Sequence, residues 1–290
     1  MAAAGNQGRL AIIAGSGKLP LFLAQASRAA GEDPFVIRLK NEADPIWEGF
    51  DNAVIGVGDM SGLSGLFASH DIGRVVMSGA VKKRPSFREI SPTWKSLSKV
   101  PAVLRTLMAG GDDAVLKMVI ELIEAQGCQV IGAHEILPDL LAEVGAFGDI
   151  LPTSDDLRDI ERGAEAAEAL GRLDVGQGAI SVGGRIVALE GVEGTDAMLK
   201  RVAELRAEGR ISQRRKGVLV KLCKPQQDMR ADLPSIGVST VKNARAAGLA
   251  GIAVEAGRAL VIEREVMVAA ANEAGLFVMG IDRGLKDKHA

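Results

Sequence analysis

Five short apolar runs recur through the first half of the chain: LAIIA at 10–14, FVIRL at 35–39, AVIGV at 53–57, RVVM at 74–77 and CQVIG at 128–132. Runs this short suit strands buried on both faces. Helical patterns separate several of them, at 20–30, 62–69 and 112–127. In the last, Val115, Val119, Leu122 and Ile123 share a face and Gly127 supplies the stop. A chain that alternates such strands with helices buries both kinds of element when the strands form a parallel sheet and the helices cover its faces. The first 133 residues are therefore expected to form a Rossmann-like parallel-sheet domain.

At 290 residues the chain exceeds a typical domain of roughly 100 to 150, so a second domain is expected. A turn-rich link spans 134–153, and residues 154–290 read as a mixed α/β domain. Thr153 or Ser154 can cap a helix whose apolar side is Leu157, Ile160, Ala164, Ala167 and Leu170. GAISVGGRIVALE reads as a hairpin turning at Gly183-Gly184. Thr195 is the expected cap of the next helix. A strand at 217–223, a helix at 240–248, a second hairpin across Ala256-Gly257-Arg258, a helix near 264–274 and the strand LFVMGI follow.

A formal charge of −2 argues against a broad nucleic-acid surface, which needs clustered cations. Cys128 and Cys223 lie far apart in apolar runs and fit neither metal spacing nor a disulfide framework. They are expected as buried thiols in a reducing cytoplasm. The amino terminus has no basic region ahead of its apolar run, so it does not read as a signal peptide. No run of 18 apolar residues is present to span a bilayer.

Two loops of the first half are candidates for anion binding. AIIAGSGKLP sets Gly15 and Gly17 between a strand and a helix, where backbone N–H groups and the helix end favour negative charge. Ser16 and Gly17 are thus candidate phosphate or sugar contacts. The dinucleotide fingerprint is incomplete, because Pro20 takes the third glycine position and Arg38 and Lys40 end the second strand in place of a carboxylate. SGAVKKRPSF places Gly79 and the cations Lys82, Lys83 and Arg84 after the fourth strand, at the edge where open α/β sheets bind ligands.

The second half holds two acidic clusters. Glu190, Glu193 and Asp196 gather where a strand hands over to a helix. In KLCKPQQDMRADLPSIG, Asp228 and Asp232 stand four apart on a loop framed by Pro225, Pro234 and Gly237, among Lys221, Lys224, Gln227 and Arg230. Carboxylates suit a hard divalent ion, and lysine and arginine suit phosphate oxygens. Phosphoryl chemistry uses both together.

KPQQDMRADLPSIG, EGTDAML, IAGSGKLP, GDDAVLK and GAHEILPDLL, in the order they take along the chain from about residue 9 to about 282, resemble the UDP-2,3-diacylglucosamine pyrophosphatases of the LpxI type. The leading MAAAGNQG lies outside the pattern. The resemblance implies a divalent-cation-dependent hydrolase of lipid A biosynthesis that cleaves its substrate to UMP and 2,3-diacylglucosamine 1-phosphate. It further implies a substrate held between two domains of a homodimer. Asp228 matches the family's essential aspartate through the QDxRxD pattern, and Asp232 its second acid. On this reading Asp228 is a metal ligand or the activator of the attacking water. Asp232 and Glu193 are its metal partners, for Mg²⁺ or Mn²⁺. Lys221, Lys224 and Arg230 meet the diphosphate, and Gln227 lies beside them. His134 and Thr195 are further candidate substrate contacts.

A diacyl substrate also needs an apolar cleft, which a chain with 3% aromatic residues lines with aliphatics. The expected setting is the cytoplasm, with transient visits to the inner-membrane surface. Two other readings stay open: a nicotinamide-dependent oxidoreductase built on the first half, and a non-catalytic regulator that binds a nucleotide sugar or lipid.

Overall fold

A computed structural model describes residues 8–81 and 111–283. Contacts divide the chain into two compact units. The first comprises Met1–Pro138 together with Asp228–Asp232, and the second Asp139–Gln227 together with Leu233–Ala290.

In the first unit the five apolar runs form β1 (Arg9–Ala14), β2 (Phe35–Leu39), β3 (Asn52–Ile55), β4 (Ile72–Ser78) and β5 (Gln129–Ile131). They make one sheet in the order β3-β2-β1-β4-β5, and every pairing in it is parallel. The helices are α1 (Leu19–Ala29), α2 (Met60–Ser69), α3 (Asp112–Glu124) and the single turn α4 (Ala133–Ile136). Strand alternation sends Ala11, Ile13, Ile37, Val75 and Val130 to one face, where Leu63 and Phe67 of α2 and Ile120 and Ile123 of α3 close a core. Each fully buried aliphatic there contributes roughly 1.5–3 kcal/mol. Ala231, far along the chain, packs against this same core.

The second unit is built on six strands: β6 (Gly145–Ala146), β7 (Gly178–Val182), β8 (Arg185–Leu189), β9 (Val218–Lys221), β11 (Gly251–Glu255) and β13 (Phe277–Ile281), ordered β6-β13-β11-β9-β7-β8. β9, β11 and β13 run parallel, with antiparallel strands at both margins. Its helices are α5 (Ser154–Arg172), α6 (Gly194–Ala207), α7 (Val238–Ala246) and α8 (Arg264–Ala274). α5 lies on one face over Val218, Val220 and Phe277. α6, α7 and α8 fill the other, around Met198, Leu219, Val241 and Met267. The segment 134–153 is not featureless, since β6 joins this sheet.

The first hairpin forms as expected, with Gly183 and Gly184 at φ +61° and +81°, the left-handed pair that a two-residue turn requires. It is pinned by Asp159 of α5, 3% exposed, which accepts from the Ser181 hydroxyl (2.5 Å) and the Gly183 and Gly184 amides (2.9 and 2.7 Å). The second hairpin does not form. β11 already has parallel neighbours on both sides, so the chain leaving the Gly257 turn makes β12 (Leu260–Val261), which pairs in parallel with β10 (Ser235–Ile236). Thr153 caps α5 through its hydroxyl, and the Thr153 amide donates back to Asp156.

Candidate active site

The loop carrying Asp228, Arg230 and Asp232 belongs by its contacts to the first unit, although the sequence on either side of it belongs to the second. The carbonyl of Met229 comes beside Gly132 at the end of β5; a Cβ added there would stand 3.3 Å from that oxygen and 2.3 Å from the His134 ring. Glycine at 132 is thus what lets this loop and His134 share the carboxyl end of the sheet. His134 Nδ1 is buried there with no hydrogen-bond partner among the described residues.

Among the described residues, Arg230 supplies the hydrogen bonds to the Asp228 carboxylate. Its Oδ1 accepts from the Arg230 amide at 2.9 Å and Nε at 3.0 Å, and its Oδ2 from Nη2 at 2.8 Å. The remaining guanidinium nitrogen, Nη1, donates to Glu124 of α3 at 2.8 Å. The bonds from Arg230 hold the Asp228 carboxyl below the usual carboxylate range, against its partial burial, and Lys117 on α3 adds to the lowering. Arg230 is in turn raised above its already high value. With the guanidinium turned to a phosphate oxygen, the oriented Asp228 carboxylate is left to accept from an attacking water.

Of the lysines expected at a diphosphate, Lys221 is 5% exposed at the end of β9 and donates to the Ser235 carbonyl at 3.0 Å. Lys224 is buried and paired with Asp174 at 2.6 Å. Gln227 accepts from the Lys224 amide at 3.1 Å and from the Cys223 thiol at 3.3 Å, so it shapes the turn before the acidic motif. Both cysteines are buried free thiols, as expected.

Thr195 does not cap its helix. It lies inside the first turn of α6, where Glu193 holds the cap position, and its hydroxyl donates to Glu190 at 2.6 Å. The other oxygen of Glu190 is buried without a partner among the described residues. The helix starts at Gly194, so the cap falls at Glu193, two residues before the expected one. Glu193 pairs with Arg201 at 3.4 Å.

At the glycine turn, the Ser16 amide and hydroxyl both donate to the Ala80 carbonyl at 2.9 and 3.0 Å, and the Ala80 amide donates back to Ser16 at 2.9 Å. The Gly17 amide donates to Asp44 at 2.8 Å. A carboxylate thus takes the donor that a nucleotide phosphate would use. Gly79, at φ +87°, lets the two loops meet, since a Cβ there would stand 2.7 Å from the Ser16 carbonyl. Lys82, Lys83 and Arg84 lie outside the described residues.

Among the described residues, no three His, Cys, Asp or Glu side chains gather closely enough to hold a metal ion. Asp228 and Asp232 go with one unit and Glu193 with the other. With three donors already on its carboxylate, Asp228 is a poor bidentate ligand, so these residues do not fit a protein-built cage. Glu124 and Lys117 were not singled out from the sequence. Seven residues apart on α3, they read as the solvated edge of an amphipathic helix, and only the returning loop gives them a role.

A two-unit α/β protein with an acid–guanidinium pair at the end of its parallel sheet is the class that fold and site define. Sequence models of the LpxI N-terminal domain and the LpxI C-terminal domain match residues 9–140 and 143–279. A curated protein of Caulobacter vibrioides, UDP-2,3-diacylglucosamine pyrophosphatase LpxI, is 41% identical over 276 residues, covering 94% of this chain and 98% of the relative. The chain belongs to the LpxI family. Solved structures give weaker likenesses. An NAD-dependent epimerase/dehydratase from Methylobacillus flagellatus has 17% identity and a TM-score of 0.25, over 42% of this chain and 35% of that one. UDP-glucose 4-epimerase of Thermus thermophilus in complex with NAD has 14% identity and a TM-score of 0.30, over 94% and 86%. Scores this low bear on neither fold nor chemistry.

Proposed function

We propose that this chain hydrolyses the diphosphate of UDP-2,3-diacylglucosamine, releasing UMP and 2,3-diacylglucosamine 1-phosphate for lipid A biosynthesis. The observation that carries the reading is the Asp228 carboxylate, ionised and oriented by Arg230 within the motif shared with the family. Asp228 takes a proton from the attacking water as its oxygen bonds to phosphorus, and the bridging P–O bond breaks. Arg230 meets the charge that develops on the parting phosphates. Two adjacent phosphates repel an incoming hydroxide, so this cation matters more as the bond forms than before it.

Dependence on Mg²⁺ or Mn²⁺ is part of the proposal. A hard ion of this kind takes much of its coordination from phosphate oxygens and water. The reading also includes a homodimer that collects its substrate at a membrane surface, to be checked by ultracentrifugation and by flotation with anionic vesicles. Among the described residues no helix is long and apolar enough to cross a membrane.

The test is to incubate the purified chain with UDP-2,3-diacylglucosamine, with Mg²⁺, with Mn²⁺ and with a chelator, and to assay UMP. Release is expected with metal and not with chelator. Asp228→Ala is expected to retain substrate and lose turnover by about 10³-fold or more. Wild-type turnover in that variant sinks the assignment of the acid.

A further inference from the structure

Arg230 has more carboxylate partners than a simple ion pair needs. Three of its donors serve Asp228 and the fourth contact, Nη1, serves Glu124. Both pairs are short at 2.8 Å, and Arg230 and Glu124 are each more than a third exposed. A surface ion pair this exposed adds little stability, so stability alone gives no reason for the second carboxylate.

The arrangement does solve a geometric problem. A guanidinium fork binds a phosphate as readily as a carboxylate. If Arg230 were held by Asp228 alone, turning toward a phosphate would release a long, flexible side chain with many rotamers. Held at Nη1 by a helix, it can turn its Nε–Nη2 edge from Asp228 to a phosphate oxygen without leaving the site. The same turn uncovers the Asp228 oxygens when they are needed.

We propose that Glu124 is a positioning residue of this site, tethering Arg230 so that its Nε–Nη2 edge exchanges between Asp228 and a substrate phosphate. This rests on the reading that the chain splits a diphosphate.

Two measurements on the full chain test it. The first is the hydrogen-exchange rate of the Arg230 Nε–H, read by NMR. Glu124→Gln is expected to raise it about tenfold, in line with the freedom a lost charged contact returns. Glu121→Gln, an equal charge change one turn away at an exposed position, should leave it unchanged, and inorganic pyrophosphate should shift the wild-type signal. The second is turnover. Glu124→Gln should lower kcat about tenfold with KM within about twofold, and Glu124→Asp should restore part of it, as expected of misplacement rather than lost binding. In an Arg230→Lys background the same substitution should change kcat less than about twofold, because its effect runs through Arg230. An unchanged Nε–H rate in Glu124→Gln, or an equal loss of kcat in the Arg230→Lys background, overturns the inference. If wild type releases no UMP while the Nε–H still depends on Glu124, the functional reading falls and the tether stands.

Discussion

Asp228 and Arg230 sit two residues apart, and that spacing makes their pairing local, although from sequence Arg230 is expected at the diphosphate and the pair is not foreseen. The i to i+2 reach lets one residue supply amide, Nε and Nη2 to a single carboxylate. The contact from Glu124 was not legible, since 106 residues separate it from Arg230. One consequence is a pH dependence with a definite sign. Asp228 titrates below its usual range when folded, so its contribution to stability is complete above the ordinary carboxylate pKa and is lost as pH falls through the depressed folded value. Urea unfolding across acidic pH should show this loss in wild type and a flatter curve in Asp228→Asn. A slope unaffected by the substitution would contradict the pairing.

Individual elements were mostly readable, and the misreadings have a common cause. The five parallel strands and the Gly183-Gly184 hairpin follow from local runs and turn residues. The second hairpin failed because pairing depends on which edges are already taken, and β11 had none left. The role of Asp159 was equally hidden, since a carboxylate on an amphipathic helix reads as solvent-facing. It instead holds a turn in the next hairpin through three accepted bonds. Asp159→Ala strands a hydroxyl and two amides and should cost roughly 3 kcal/mol by denaturant unfolding. Gly132→Ala puts a methyl against the His134 ring and the Met229 carbonyl. It should move the His134 NMR signals and reduce turnover by about tenfold or more through displacement of the Asp228 loop.

For the whole molecule, a boundary drawn in sequence order misses that residues 228–232 go back to the first unit. Composition shifts mark where a chain changes character, and a five-residue return is too short to register. Residues 1–138 expressed alone would lack both the Asp228 group and Ala231, so they are expected to be less stable than the same unit in the full chain. Another whole-molecule term opposes that of Asp228. Burial raises the Glu255 carboxyl, although Arg258 and the Cys223 amide favour its charged form. The folded state then holds this proton above the ordinary glutamate pKa, and stability falls as pH rises from there through the raised value. Glu255→Gln should remove that decline, as read from urea midpoints over the same pH series.

The backbone bridge between Ser16 and Ala80 stands at the switch point of the parallel sheet, between β1 and β4. Open α/β sheets bind ligands in the crevice at such a point, whereas here main-chain atoms knit it together. Grafting a nicotinamide cofactor onto this scaffold would thus begin with unpicking two main-chain N–H to carbonyl hydrogen bonds, a change that no single side-chain replacement delivers.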